Sequence, residues 1–401
     1  MVQVMVWETR EQAPTAATGL VDATGRVVVG ARRDGPQETT ALSAHVECRP
    51  GRAATRPRLV VNALPLERQG GGVTTYIREL LTALAPVVDV DLVAAVRPAG
   101  LHELPAGVVP FVVRESRGVR RAVAGARGFG PADMIHGLDG DLPLRGGCPR
   151  VTTVHDLAVF DVPWAFPRMR VAGERLLLRS ALRRADAVIA VSAFTAERIE
   201  AISGRHAVVV HEAPSPSMVP ADDGELERVR VHYGLPDRFV LHVGNIEPRK
   251  DLHTLATACT RVGVPLVVTG HSLWSTRAPA SVVEIGHVPA KDLPALYGAS
   301  TLVGYASHYE GFGLPPVEAM ACGAAVVSTP VPAVAELVGD GAATFRPGDV
   351  DGLGATLRAL LDDEDQRRAL ADRGRRAVAS LTWDRAARST ADLYRSLGLD
   401  A

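Results

Sequence analysis

The sequence predicts an α/β protein of two domains, each built on a parallel sheet flanked by helices, and three observations predict it. Short apolar runs such as Leu59-Val60-Val61 and Phe239-Val240-Leu241 read as buried parallel strands. Each is followed by a glycine-bearing loop and then by a segment whose apolar residues recur at helical spacing, the strand-loop-helix form of a nucleotide-binding unit. The 401 residues, 47% of them hydrophobic, suffice for two cores of ordinary size.

The overall balance excludes several classes. A net charge of -1 gives no call for nucleic acid. The four cysteines, Cys48, Cys148, Cys259 and Cys322, form no C-x-x-C pair, which argues against metal and disulfide frameworks. The start, Met1-Val2-Gln3-Val4-Met5-Val6-Trp7-Glu8, lacks the basic opening and longer apolar core of a signal peptide. No run approaches the ~18 apolar residues of a membrane-spanning helix. A reducing cytoplasm is the expected compartment. Of 44 basic residues only Lys250 and Lys291 are lysines, so a lysine inside a candidate phosphate loop suggests that a compact ammonium is wanted there.

Residues 1–57 are polar, with scattered Gly, Pro and Arg, and are expected to be a poorly patterned extension. Within them, residues 19–29 fit a hairpin around Ala23-Thr24-Gly25. The first domain is expected over 58–218. Its opening strand, 58–64, leads through Gly70-Gly71-Gly72 to a helix over 73–84. This loop matches neither G-x-G-x-x-G nor a P-loop. Further strands are expected at 90–96 and 134–136. Asp139 and Asp141 form a D-x-D string, which reads as a turn ahead of a metal site. Arg114, Arg117, Arg120, Arg121 and Arg127 make a basic stretch that fits a solvated helix face and leaves open a peripheral contact with anionic lipid or a charged acceptor. A strand at 151–154 ends in His155-Asp156, at the carboxyl edge where open α/β sheets place ligands, although a lone histidine there is commonly structural. A helix over 169–184, a strand over 187–192 with Ser192 as the cap of the next helix, and a short strand at 207–210 lead to the prolines at 214 and 216 that mark an interdomain connection.

The second domain is expected over 219–379. A helix at 225–233 precedes the strand 239–243, the Gly244 turn and the adjacent cations Arg249 and Lys250. Cations at a helix start oppose its dipole unless an anion compensates, which favours a bound anion over a solvated pair. Strands at 264–269 and 282–288 and a helix at 291–299 lead to Glu310-Gly311-Phe312-Gly313-Leu314-Pro315-Pro316-Val317-Glu318, which follows an apolar strand and opens a helix stopped by Gly323. Gly311 and Gly313 let backbone N–H groups approach a ligand, and the helix N-terminus suits a diphosphate. Glu318, one turn in, has acceptor oxygens for two ribose hydroxyls, while Glu310 on the loop can face a sugar ring. A glutamate so placed is also favoured by the helix dipole alone. Helices at 334–338, 350–361 and 364–379 follow, and a last amphipathic segment falls in 380–401.

The nine-residue string resembles the E-x7-E motif of glycosyltransferase family 4, and with Gly71-Gly72, His155-Asp156 and Arg249-Lys250 the resemblance covers residues 58–397. It implies the GT-B fold, two Rossmann-like domains facing across a cleft, the first on the acceptor side and the second binding nucleotide sugar. The last helix, in 380–401, would cross back to the first domain. The implied activity is that of a metal-independent, cofactor-free, retaining hexosyltransferase. It would move a hexose, with mannose suggested by a pattern nearest to bacterial mannosyltransferase-like members, from a nucleotide-diphosphate sugar to a hydroxyl of a glycan, lipid-linked or small-molecule acceptor. By the same resemblance His155, Glu310, Arg249 and Lys250 stand at the reacting centre. The donor site comprises Gly71, Gly72, Gly244, Arg249, Lys250, Val288, Glu310, Gly311, Phe312, Gly313, Leu314 and Glu318. Family members contact the base near the segment matching 286–288, mostly through backbone. Many carry an arginine directly after the glycine where this chain has Asn245, and Arg249 is expected to substitute. The enzyme is expected in the cytoplasm, in part at the inner membrane face. An epimerase or phosphorylase on the same architecture, or a non-catalytic sugar-nucleotide binding subunit, are the alternatives.

Overall fold

The computed structural model describes residues 56–67, 71–113, 131–143, 147–273 and 276–399, with the backbone of two short strands nearer the N-terminus. Those two strands, β1 (Leu20–Val21) and β2 (Val27–Val28), pair antiparallel with Leu20 opposite Val28, where the hairpin is expected. The rest of 1–55, Gly70 and the arginines at 114, 117, 120, 121 and 127 lie outside the described residues.

The first sheet grows outward from β3 (Arg58–Asn62), whose Leu59, Val60 and Val61 are fully buried, as a strand covered on both faces requires. On one side β3 pairs in parallel with β4 (Asp91–Val96), which pairs with β5 (Val109–Val112). On the other it pairs with β6 (Met134–Gly137), which pairs with β7 (Arg150–Val154). β8 (Ala187–Ala190) and β9 (Val208–Val209) complete the order β5-β4-β3-β6-β7-β8-β9. After β3 the chain forms α1 (Gly72–Leu84), which buries Tyr76, Ile77, Leu80, Leu81 and Leu84 on one stripe. Helices α2 (Ala158–Asp161), α3 (Arg168–Arg184) and α4 (Ala193–Ser203) follow β7 and β8. Gly204, left-handed at φ 68°, ends α4.

The second sheet has the order β12-β11-β10-β13-β14-β15, with every adjacent pair parallel. In chain order its elements are α5 (Asp223–Tyr233), β10 (Val240–Val243), α6 (Leu252–Val262), β11 (Leu266–Thr269), β12 (Val282–Glu284), α7 (Leu293–Ala299), β13 (Leu302–Tyr305), α8 (Leu314–Ala321), β14 (Val326–Ser328), α9 (Pro332–Val338) and β15 (Ala342–Thr344). α10 (Val350–Asp362), α11 (Glu364–Val378) and α12 (Trp383–Ser396) follow. Alternation along the strands splits the core into two layers: Leu241, Val267 and Val303 pack on one face, Val240, Leu266, Val268 and Leu302 on the other. Strands β5, β14 and β15, of three or four residues, are additions to the sequence expectation.

Two compact units emerge, Met1–Val154 with Leu177–Ile189 and Ala387–Ala401, and His155–Leu176 with Ala190–Ala386. They interleave along the chain and so do not follow the sequential boundaries expected at 218 and 379. Within the first unit Tyr394 of α12 places its hydroxyl 2.6 Å from His136 Nδ1, and the other ring nitrogen lies 2.8 Å from Thr153 Oγ1. Among the described residues no helix is long and apolar enough to cross a membrane.

Candidate active site

In the second sheet β10 and β13 are neighbours although their following loops depart to opposite sides, and ligands of open α/β sheets bind at the carboxyl ends of such strands. The loop after β10 turns at Gly244 (φ 144°), passes through a tight 3-10 turn over Pro248–Lys250 and enters α6 at Asp251. Asp251 is a non-glycine residue at φ 44°, a costly left-handed conformation. Its carboxylate compensates by accepting from Thr254 N at 3.2 Å and Thr254 Oγ1 at 2.7 Å, capping α6, with His308 Nε2 3.2 Å away. The loop after β13 is stitched to this one where His308 N–H donates to the Arg249 carbonyl at 2.8 Å.

Arg249, Lys250 and Glu310 converge here. Lys250 Nζ donates to Glu310 Oε1 at 2.5 Å, and Arg249 Nη1 donates to Glu310 Oε2 at 2.9 Å and to the Tyr309 carbonyl at 2.8 Å. Arg249 Nη2 also pairs with Glu247 Oε1 at 2.7 Å. Lys250 is 5% exposed, Glu247 6% and Glu310 8%, so these are desolvated charges. For Glu310, burial acts to raise the pKa but is outweighed by Lys250 and then Arg249, which bring it down to about 2. For Arg249, burial acts to lower the value and is outweighed by Glu310, Glu247 and Asp156. The expected reason for the two cations therefore needs correction. Glu310 and Glu247 already supply the compensating negative charge, so the cations are internally paired rather than unpaired at a helix start. His242 of β10, fully buried, donates Nδ1–H to the Gly304 carbonyl at 3.0 Å. Burial and then Lys250 push its pKa down to about 4, so it adds no third positive charge.

The string after Glu310 is shaped by close packing. A Cβ on Gly311 would sit 1.8 Å from the His155 carbonyl oxygen, so only glycine fits. The Gly311 carbonyl accepts from Ser192 Oγ at 2.6 Å and Thr195 Oγ1 at 3.0 Å, while Ser192 Oγ also caps α4 by accepting from Thr195 N. Gly313 caps α8 at φ 95°, with Val334 2.5 Å from where its Cβ would lie. Phe312, Leu314 and Val288 have buried, core-packed side chains and can meet a ligand through backbone alone. Pro315 and Pro316 carry no N–H, so in the first turn of α8 the donor comes from Leu314. Glu318 is 7% exposed on α8 and accepts from Tyr297 Oη at 3.3 Å.

His155 lies on the same unit. Its Nδ1 is 2.8 Å from Glu212 Oε1, and with a carboxylate as partner Nδ1 carries the proton. Asp156 turns the local chain, accepting from Ala158 N at 3.0 Å. Glu212 and Glu247 are additions made by the fold, since neither stands at a motif spacing that would announce its partner. Glu336 of α9 is a further addition: it accepts from Ala193 N at 2.8 Å and Phe194 N at 2.9 Å at the start of α4.

Gly71 and Gly72 belong to the first unit, where Gly71, at φ 112°, opens α1 and its carbonyl accepts from Thr75 N at 3.1 Å. At the corresponding position of that sheet, after β3 and β6, Asn62 Nδ2 bonds Asp141, so the second aspartate of the D-x-D string has a structural partner. Among the described residues no group of three or more His, Cys, Asp and Glu is arranged to hold a metal ion.

Comparison with known proteins gives concordant results. The family model described as "Glycosyl transferases group 1" matches residues 227–377, and that described as "Glycosyltransferase Family 4" matches residues 70–213. The chain is 32% identical to O-antigen chain mannosyltransferase B of Escherichia coli over 66% of its own length and 74% of that protein's. It is 30% identical to D-inositol 3-phosphate glycosyltransferase of Salinispora arenicola (strain CNS-205), covering 86% of this chain and 92% of that one. Among solved structures, Anabaena Alr3699/HepE in complex with UDP-glucose superposes with a TM-score of 0.67 at 19% identity, over 85% of this chain and 100% of that one, a likeness of fold.

Proposed function

We propose, from the premise that this chain belongs to glycosyltransferase family 4, that it transfers a hexose from a nucleotide-diphosphate sugar to an acceptor hydroxyl with retention at the anomeric carbon and without a metal ion. The observation that carries this reading is the buried cluster of Lys250, Arg249 and Glu310 at the carboxyl ends of β10 and β13. Leaving of the diphosphate builds negative charge, and Lys250 is a fixed cation held in place before the reaction begins. Glu310 accepts from one of its three ammonium N–H groups, so the others remain to donate to phosphate oxygens. Arg249 is largely committed to Glu247, Glu310 and the Tyr309 carbonyl and acts by orienting Glu310. The Leu314 N–H and the positive end of α8 complete the phosphate contacts. Glu318 takes the ribose hydroxyls.

His155, with Nδ1–H fixed by Glu212, meets the donor sugar through its other nitrogen. In the transfer the acceptor oxygen bonds the anomeric carbon as the bond from that carbon to phosphate oxygen breaks. The leaving phosphate takes the acceptor proton, so neither glutamate forms a covalent bond. Mannose, named for the Escherichia coli relative, is the first hexose to test.

Incubating the protein with nucleotide sugars and acceptor hydroxyls should release nucleoside diphosphate only when acceptor is present, give a product of unchanged anomeric configuration by NMR, and proceed in EDTA. Epimerisation of the donor without acceptor, a requirement for inorganic phosphate, or binding without turnover would each replace the reading. Loss of activity in EDTA that manganese restores would bring Asp139 and Asp141 forward.

A peripheral contact with an anionic membrane surface belongs to the same reading. The described surface that fits it is α3, where Met169 is 90% exposed, Leu176 66% and Leu177 53%. The helix carries arginines at 168, 170, 175, 179, 183 and 184 against the one acid, Glu174. The protein should co-sediment with phosphatidylglycerol vesicles and lose this when Leu176 and Leu177 become Glu; equal sedimentation of both forms removes the contact.

A further inference from the structure

The segment Tyr309-Glu310-Gly311 is gripped on both sides of its glutamate. On one side the buried Tyr309 hydroxyl accepts from Leu157 N–H at 3.2 Å, and the Tyr309 ring meets Phe194 of α4 with centroids 5.6 Å apart. On the other side the Gly311 carbonyl accepts from both the Ser192 and the Thr195 hydroxyl, and both donors are fully buried. Leu157 stands two residues after His155, Ser192 caps α4, and Thr195 lies in the first turn of that helix.

The grips have one geometric effect in common. Lys250 and Arg249 hold the Glu310 carboxylate, and Glu212 holds the His155 ring, but neither arrangement fixes where the first group stands relative to the second. Their relative place is set by backbone, because the Gly311 Cα lies so close to the His155 carbonyl that a Cβ would fall 1.8 Å from its oxygen. Van der Waals contact alone is shallow and lets two backbones slide, whereas directional hydrogen bonds on either side fix their register. Glu336 steadies the far end. By accepting from Ala193 N at 2.8 Å and Phe194 N at 2.9 Å it ties the start of α4, and Thr195 with it, to α9.

We propose that Tyr309, Thr195 and Glu336 are positioning residues that hold His155 and Glu310 at one separation about the donor sugar, and that they act on turnover rather than on donor affinity. The inference rests on the transfer reading above and adds residues that act only through the two reacting-centre groups. Lys250 and Glu318 stand on elements of their own, the turn after β10 and α8, so donor binding survives when the clamp is loosened. Transfer needs both groups in place at once, and a misplacement of about 1 Å costs on the order of 100-fold in rate.

Each grip can be removed with little change of shape. Tyr309→Phe deletes the acceptor of Leu157 N–H, Thr195→Val exchanges a hydroxyl for a methyl, and Glu336→Gln leaves one amide oxygen for two N–H donors. The full chain is offered GDP-mannose, UDP-glucose and ADP-glucose with methyl mannoside as acceptor, and GDP, UDP and ADP are titrated calorimetrically. Each variant should lose about 10- to 100-fold in kcat, measured well below its melting temperature, with donor KM and nucleoside diphosphate affinity within about twofold of wild type. Thr195→Ser, which restores the hydroxyl, should recover most of kcat. Should Thr195→Val not fold, Tyr309→Phe gives the same readout from the opposite grip. A lowered melting temperature with unchanged kcat, or a loss of diphosphate affinity that matches the loss of kcat, overturns the clamp while leaving transfer standing. A wild-type chain that neither binds these diphosphates nor turns over these donors overturns both.

Discussion

Lys250→Ala lowers turnover and thermal stability together. On the functional side, losing one preorganised donor to developing charge costs about 100- to 1,000-fold in kcat. On the structural side, Lys250 is 5% exposed and holds Glu310, 8% exposed, so its truncation leaves a desolvated carboxylate with Arg249 as its remaining cationic partner. Breaking a buried pair in this way costs about 3 to 5 kcal/mol. A solvated loop lysine would leave folding almost untouched, so the stability arm separates the two pictures.

The pH dependence follows from Glu310. Its pKa in the folded state is about 2 against an ordinary 4.5, so its contribution to stability is fully present above about pH 4.5 and is lost as pH falls toward 2. For the wild-type chain that contribution is on the order of 3 kcal/mol. In Lys250→Ala the carboxyl titrates at higher pH and the acid-side loss of melting temperature begins earlier. Lys250→Arg keeps the charge and recovers stability more than turnover, because a planar fork does not reproduce a compact ammonium. Melting curves between pH 3 and 7 with single-turnover rates measured well below the melting temperature check all of this. An unchanged melt for Lys250→Ala would show that the pair with Glu310 does not hold in solution.

Glu318→Gln weakens nucleotide binding by about 1.5 to 3 kcal/mol, the range for hydrogen bonds to a charged group, and barely moves the melting temperature. The substitution keeps size and helical propensity, and the amide oxygen can still accept from the Tyr297 hydroxyl that lies 3.3 Å from the carboxylate. What it removes is the second charged acceptor needed for a pair of ribose hydroxyls. A carboxylate serving only the dipole of α8 gives the opposite result, about 0.3 to 1 kcal/mol of stability lost and affinity intact. Comparing ribo- and 2'-deoxyribonucleoside diphosphates on both forms adds an independent reading. If the two forms discriminate against the deoxy ligand equally, Glu318 does not touch the 2'-hydroxyl.

Much of the site was legible in the sequence because its devices are local. The cap at Ser192, the left-handed glycine at 313, the Pro-bearing start of α8 and the apolar runs of β3, β10 and β13 each follow from a few adjacent residues. The family resemblance then joined Arg249-Lys250 to Glu310 as parts of one donor site. The strands β5, β14 and β15 escaped the reading because three or four residues hold too little periodicity to distinguish a strand from a loop, and their pairing to neighbours defines them.

The charge state of the site was decided by tertiary structure alone. Lys250 and Glu310 are 60 positions apart, and His155 and Glu212 are 57 apart, so no spacing in the chain announces either pair. The same holds for Gly311: the sequence justifies a glycine by its freedom to approach a ligand, whereas the fold requires it because the His155 carbonyl occupies the place of a side chain. Sequence by itself determined the fold class and the chemical inventory, since strand, loop and helix signals are short-range properties of the chain. Which cation is neutralised by which acid, and which glycine is wedged against which carbonyl, depend on desolvation and steric exclusion that exist only once distant segments have met.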